Sequence, residues 1–162
     1  MSKRCQPPVK DFYFVYKCVK IDDIQNEKSI FEQLNQIGEL KNFDRLVVSY
    51  QNEHRLSNVI KAVGIVVPVK SVERLEKLLS EKDFKVHFVK NVKKVVQIEL
   101  SSNKISTNPH EFKEICQEFS NQLNKDHIQA YPLVQFYSNN KTIHFAPLLN
   151  QTNFYVPETH IG

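Results

Sequence analysis

Gln135 is the residue whose setting asks for chemistry: it stands in the run Tyr131-Pro132-Leu133-Val134-Gln135-Phe136-Tyr137, in phase with Leu133 and Tyr137. An amide offers one acceptor and two donors but does not titrate near neutral pH, so it can orient a ligand and cannot shuttle a proton. Tyr50, Tyr137 and Tyr155 contribute hydroxyl-tipped rings and Phe154 an apolar one. Together Tyr50, Gln135, Tyr137, Phe154 and Tyr155 would line an aromatic groove suited to an uncharged ligand, a small apolar or aromatic molecule, or to a partner's side chain. The competing reading is a packed sheet face, the commoner fate of aromatics at strand spacing. No residue is assigned a catalytic role.

Other chemistries find less support. The six histidines, at 54, 87, 110, 127, 144 and 160, include no helical i, i+4 pair and no acidic neighbours of metal-ligand type, so no metal is expected. Haem attachment would need a Cys-x-x-Cys-His string that is absent, and no cofactor is assigned. Cys5, Cys18 and Cys116 are odd in number and widely spaced, which disfavours a disulfide framework. Cys116 falls on the apolar side of an expected helix, as a small hydrophobe. Lys82, Lys85, Lys90, Lys93 and Lys94 gather around one expected hairpin, and the net charge is +4. Without an arginine-rich, aromatic-interleaved stripe these lysines read as edge protection, and nucleic acid is not an expected partner. Phe31-Glu32-Gln33-Leu34 and Phe43-Asp44-Arg45-Leu46 formally match autophagy-receptor strings, yet both fall inside expected elements whose backbone is already engaged.

The elements that must position these side chains follow from periodicity. At 162 residues, 41% hydrophobic and with 3 glycines, the chain has the composition of one globular domain. Its longest uncharged apolar run, Ala62 to Val69, falls far short of the about 20 residues that a membrane-spanning helix needs. Phe12, Phe14, Tyr16 and Cys18 alternate against Tyr13, Val15, Lys17 and Val19, a strand over 12–20. Asp22 and Asp23 can cap a helix whose Ile24, Phe31, Leu34 and Ile37 share a stripe. Strands at 46–50 and 59–67 complete a β-α-β-β unit, and a connector follows with a helix after Ser71 and a strand at 84–88. The pattern then repeats with a strand at 92–100, a helix opened by Asn108-Pro109-His110-Glu111, and strands at 132–138 and 142–148 around Asn139-Asn140.

The expected fold is therefore α+β: duplicated β-α-β-β units forming antiparallel sheet, two long helices on one face and a concave groove on the other. Residues 1–10 are expected as a flexible N-terminal tail, 11–158 as the single domain and 159–162 as a C-terminal end.

Several strings in this chain are similar, in order and spacing, to GyrI-like domains of the SOUL superfamily, and among them to the cytosolic domain of an ER-phagy receptor. They are Tyr16-Lys17, Tyr50-x-Asn52-x-His54, Ala62-Val63-Gly64, Phe84-Lys85-Val86, Ala130-Tyr131-Pro132 and Phe154-Tyr155-Val156-Pro157-Glu158. The resemblance spans residues 12–158 and marks Asn52, His54, Gly64, Pro132, Pro157 and Glu158 as family-motif positions. It implies a binding or adaptor module whose partners are autophagy proteins or an AAA-type unfoldase, placed in the cytoplasm at the cytosolic face of the endoplasmic reticulum. In the family pattern an acidic side chain stands where this chain has Gln135, so the resemblance implies a noncatalytic domain. The alternative it leaves open is a small-molecule-binding or hydrolytic GyrI-like protein. Glu53 replaces the family's usual proline, and Val19 to Asp23 replaces a His-x-Gly-Pro-Tyr-like turn.

Overall fold

Period-two alternation commits much of the chain to strands, and in the computed structural model, which describes residues 2–20, 23–50, 60–99, 109–148 and 151–160, eight of them form one sheet. In chain order the elements are β1 (Ser2–Cys5), β2 (Phe12–Lys20), α1 (Ile24–Gln36), β3 (Arg45–Ser49), β4 (Ile60–Pro68), α2 (Val72–Glu81), β5 (Lys85–Val89), β6 (Val95–Ile98), α3 (Pro109–Lys125), β7 (Leu133–Ser138) and β8 (Lys141–Pro147). The strand order is β1-β6-β8-β7-β3-β4-β2-β5, and every neighbouring pair is antiparallel. The architecture is α+β.

Local signals account for most boundaries. Asp23 caps α1, its carboxylate accepting from the Asn26 backbone N–H at 3.2 Å. Asn139 and Asn140 join β7 to β8 with φ of 53° and 64°, the left-handed conformation that asparagine tolerates in a two-residue hairpin. The N-terminal stretch departs from expectation: Ser2–Cys5 forms β1 and pairs with β6 from Ser2↔Ile98 to Cys5↔Val95. Without it β6 would be a sheet edge with open backbone groups, and Cys5 packs against the core beside it.

Pairing partners share a face, so the register sorts the side chains. Val15, Val47, Val63, Ile65 and Val67 pack with Ile30, Phe31 and Leu34 of α1 and Leu75 and Leu79 of α2. Val96, Ile98, Leu133 and Ala146 meet Ile115, Cys116, Phe119 and Leu123 of α3 on the same side of the sheet. The opposite face carries a continuous apolar layer that includes Phe12, Phe14, Tyr16, Leu46, Val48, Val134, Phe136 and Phe145. That face, expected as an open groove, is covered by the chain's own C-terminal segment, whose Phe154 and Val156 are completely buried in it.

Two further contacts fix helix and strand placement. Lys61 of β4 lies under α1 and meets Glu27 at 3.0 Å with both side chains buried. Gly64 lies opposite Tyr16, and a Cβ added there would come within 1.8 Å of the Val15 carbonyl oxygen. Only a residue without a side chain lets β2 and β4 approach so closely.

Gly64→Ala must push β2 and β4 apart and is expected to lower unfolding stability by about 3 kcal/mol in denaturant titration; an unchanged midpoint would refute the close approach. Lys61→Met strands the buried Glu27 carboxylate and should cost about 3–5 kcal/mol. The double variant Lys61→Met, Glu27→Leu should recover most of that loss in the same assay, and a purely additive result would mean the pair is not coupled.

Candidate functional site

The motif Phe154-Tyr155-Val156-Pro157-Glu158 reaches its place because the residues before it are tied to the β5–β6 connection. Gln151 Oε1 accepts from the Lys93 backbone N–H at 2.8 Å and its Nε2 donates to the Lys94 carbonyl at 2.6 Å. Asn153 Nδ2 donates to the Lys90 carbonyl, and the Asn153 carbonyl lies 2.9 Å from His87 Nε2. Tyr50 donates its hydroxyl proton to the Phe154 carbonyl. Phe154 is thereby driven into the apolar layer, its ring edge-on to Phe145 with centroids 5.7 Å apart. Tyr155 lies between Tyr50 and Tyr131, with ring centroids 6.3 and 6.0 Å away.

Pro157 opens a 3-10 turn that delivers Glu158 to β2. Glu158 Oε1 accepts from Tyr16 Oη at 2.9 Å, Oε2 accepts from Cys18 Sγ at 3.3 Å, and Lys85 Nζ lies 3.5 Å from Oε2. The geometry follows from strand periodicity: Tyr16 and Cys18 project from one face of β2, and Lys85 sits directly across from Tyr16 on β5. Burial alone would raise the Glu158 carboxyl, but the hydrogen bonds from Tyr16 and Cys18 and the Lys85 charge outweigh it and hold the group below its ordinary value. Burial and the neighbouring carboxylate push the Tyr16 phenol up, and they push the Cys18 thiol up to about 12. At neutral pH the site is an ionised carboxylate held by two protonated donors.

The five residues expected to line one groove divide between the two faces. Tyr50, Phe154 and Tyr155 lie on the covered face. Gln135 and Tyr137 do not, because Gln135 pairs with Val47 and Tyr137 with Arg45, whose side chains face the helices. Gln135 Nε2 lies 3.3 Å from His144 Nε2, and its Oε1 is buried with no hydrogen-bond partner among the described residues. Burial lowers His144 to about 4 against the opposing pull of Glu118, so the imidazole there is neutral. Tyr137 donates to Asn140 Oδ1 at 3.3 Å, within its own hairpin. The expectation that a neutral amide occupies the heart of the aromatic cleft is therefore wrong, and a carboxylate, Glu158, does stand in that cleft.

Of the motif positions, Gly64 permits the β2–β4 approach, Pro132 is buried ahead of β7, Pro157 opens the terminal turn, and Asn52 and His54 lie outside the described residues. Tyr16, Cys18 and Lys85 are the site residues that sequence reasoning missed as a group. The available signal was their alternation on a strand that also carried a motif tyrosine. Among the described residues no three His, Cys, Asp or Glu side chains are placed to hold a metal, and no helix is long and apolar enough to cross a membrane. Compared with protein-family models and with curated proteins, the sequence finds no match in either.

The depressed Glu158 carboxyl has a consequence for stability. Its ionised form contributes fully above the ordinary value of 4.5, and the contribution is lost as pH falls through the lower folded value. Denaturant titrations of the native chain and of Glu158→Gln between about pH 7 and about pH 3 should therefore show a constant gap at neutral pH that closes at the acid end. Parallel curves throughout would mean that Glu158 is not held ionised by its neighbours.

Proposed function

We propose that this chain is a noncatalytic GyrI-like binding or adaptor module built from two β-α-β-β halves. Support for the halves comes from the strand order: β2-α1-β3-β4 lies as β3-β4-β2 and β6-α3-β7-β8 as β7-β8-β6, so the two series match and abut through their second strands. Support for the module reading comes from one observation above the rest, the burial of Phe154 and Val156 in the apolar face where a substrate would otherwise lie. A cleft already occupied by its own chain presents surface to a partner more readily than it encloses a small reactant. The resemblance noted above is to the cytosolic domain of testis-expressed protein 264, an ER-phagy receptor. On that basis the proposed partners are autophagy proteins or an AAA-type unfoldase, met in the cytoplasm at the endoplasmic reticulum surface.

A second reading, a hydrolytic or small-molecule-binding GyrI-like protein, draws on the carboxylate that Glu158 places in the cleft beside the Tyr16 hydroxyl. The hydrogen bonds that hold this carboxylate ionised make it a weak proton acceptor, which favours the first reading.

The two separate in a paired assay on the purified chain. The module reading expects direct binding of purified AAA-type unfoldase by calorimetry, with no turnover of a panel of aryl esters and strained electrophiles. Turnover that disappears in both Glu158→Gln and Tyr16→Phe, with the fold intact by circular dichroism, would instead establish the hydrolytic reading.

A further inference from the structure

Three large apolar side chains stand exposed among the described residues, Val69 at 47%, Val86 at 41% and Phe88 at 37%; Val69 follows the end of β4, and Val86 and Phe88 lie on β5, two strands away in the sheet. Val86 and Phe88 lie on β5, which ends the strand order, so one side of its backbone carries N–H and C=O groups without a strand partner among the described residues. The two faces of β5 differ in kind. Val86 and Phe88 lie beside Val15 and Tyr13, with the Phe88 and Tyr13 rings stacked at 4.6 Å, whereas Lys85 and His87 lie beside Tyr16 and Phe14 on the other face. Lys82 and Lys90 flank the strand, and the Lys90 ammonium stands 5.9 Å from the centre of the Phe88 ring.

We propose that β5 is a docking edge for an acidic peptide that adds to the sheet as a ninth strand. A strand of alternating apolar and acidic residues would set its apolar side chains beside Val86 and Phe88 and its carboxylates on the other face beside Lys85, whose ammonium also meets Glu158, with Lys82 and Lys90 flanking the strand. Lysines at an edge repel a basic strand, lose hydration without compensation against a neutral one and attract an acidic one, which makes them a selector as much as a guard. Guarding alone would not leave a phenylalanine and a valine exposed on the same strand. A second copy of this chain fits poorly, since β5 itself (Lys85–Val89) carries no acidic residue to meet the lysines. Lys85 is shared with the Glu158 site, but Val86 and Phe88 lie on the face away from that cleft, so variants at those two positions test this inference separately from the module reading.

The test uses the full chain and a synthetic peptide of about nine residues alternating phenylalanine or valine with glutamate. Two controls accompany it, the same peptide with lysine for glutamate and the same peptide with alternate backbone amides N-methylated in each register. Saturable binding is expected for the glutamate peptide alone, with new hydrogen-exchange protection in residues 85–89 and loss of binding on N-methylation in one register only. Affinity should fall about tenfold or more in Phe88→Glu or Val86→Glu, exposed positions at which an unchanged melting temperature certifies the fold. It should also weaken between about 0.05 M and about 0.5 M salt. Absence of binding, or binding indifferent to N-methylation and to Phe88→Glu, would overturn the proposal. So would a concentration-dependent dimer that Phe88→Glu dissolves, which would make a second copy the occupant.

Discussion

Five registered pairs between β3 and β7, from Arg45↔Tyr137 to Ser49↔Leu133, join two half-sheets into one, and every other placement in the molecule depends on that alignment. The strands come from opposite halves of the chain, so their pairing closes a long loop and must be held by burial. Leu46, Val48, Val134 and Phe136 supply it on the covered face, where all four are buried. Because side chains alternate, a slip of one residue would send Phe136 toward the helices and bring Gln135 into the cleft. The observed register does the opposite, and it decides which chemistry the cleft contains.

With that register in place, the C-terminal segment behaves as an intramolecular ligand. Its polar contacts come from every side of the cleft: Tyr50 holds the Phe154 carbonyl, the β5–β6 connection holds Gln151 and Asn153, and Tyr16, Cys18 and Lys85 hold Glu158. The last contact does more than fasten. A carboxylate shared by a phenol, a thiol and an ammonium is stabilised in its charged form, while burial first and the carboxylate second keep the phenol and thiol protonated, the Lys85 charge pulling the thiol the other way. These contacts tie the C-terminal segment to β2 and β5.

Strands and turns were legible because they rest on local rules. The alternation from Phe12 to Cys18, the Asp23 cap and the Asn139-Asn140 turn each act within a few residues of themselves. The face that each strand presents to the helices was not legible at β7, because Leu133 and Tyr137 on one side are as hydrophobic as Val134 and Phe136 on the other. Periodicity divides such a strand into two sets without saying which set meets a helix. β1 is four residues long, two of them basic, too short for a pattern. Glu27 was within reach of a helical reading, since it precedes Ile30, Phe31 and Leu34 on one stripe, but its partner Lys61 belongs to a distant strand. The Glu158 site has the same character, with a motif carboxylate whose donors lie at the other end of the chain.

The two faces of the sheet play unequal parts. On the helix side the core divides into two apolar packets, one under α1 and α2 and one under α3. Lys61 with Glu27, Ser49, and Gln135 with His144 occupy the neighbouring positions of the central strands on that side. Buried polar groups are tolerated where they meet one another and are costly against apolar surface, so they mark where one packet ends and the next begins. The covered face has no such division, and a single apolar cluster runs from Phe12 on β2 to Phe145 on β8 beneath Phe154 and Val156. It is therefore the C-terminal segment and the layer under it, more than the helices, that span the two half-sheets and hold them together.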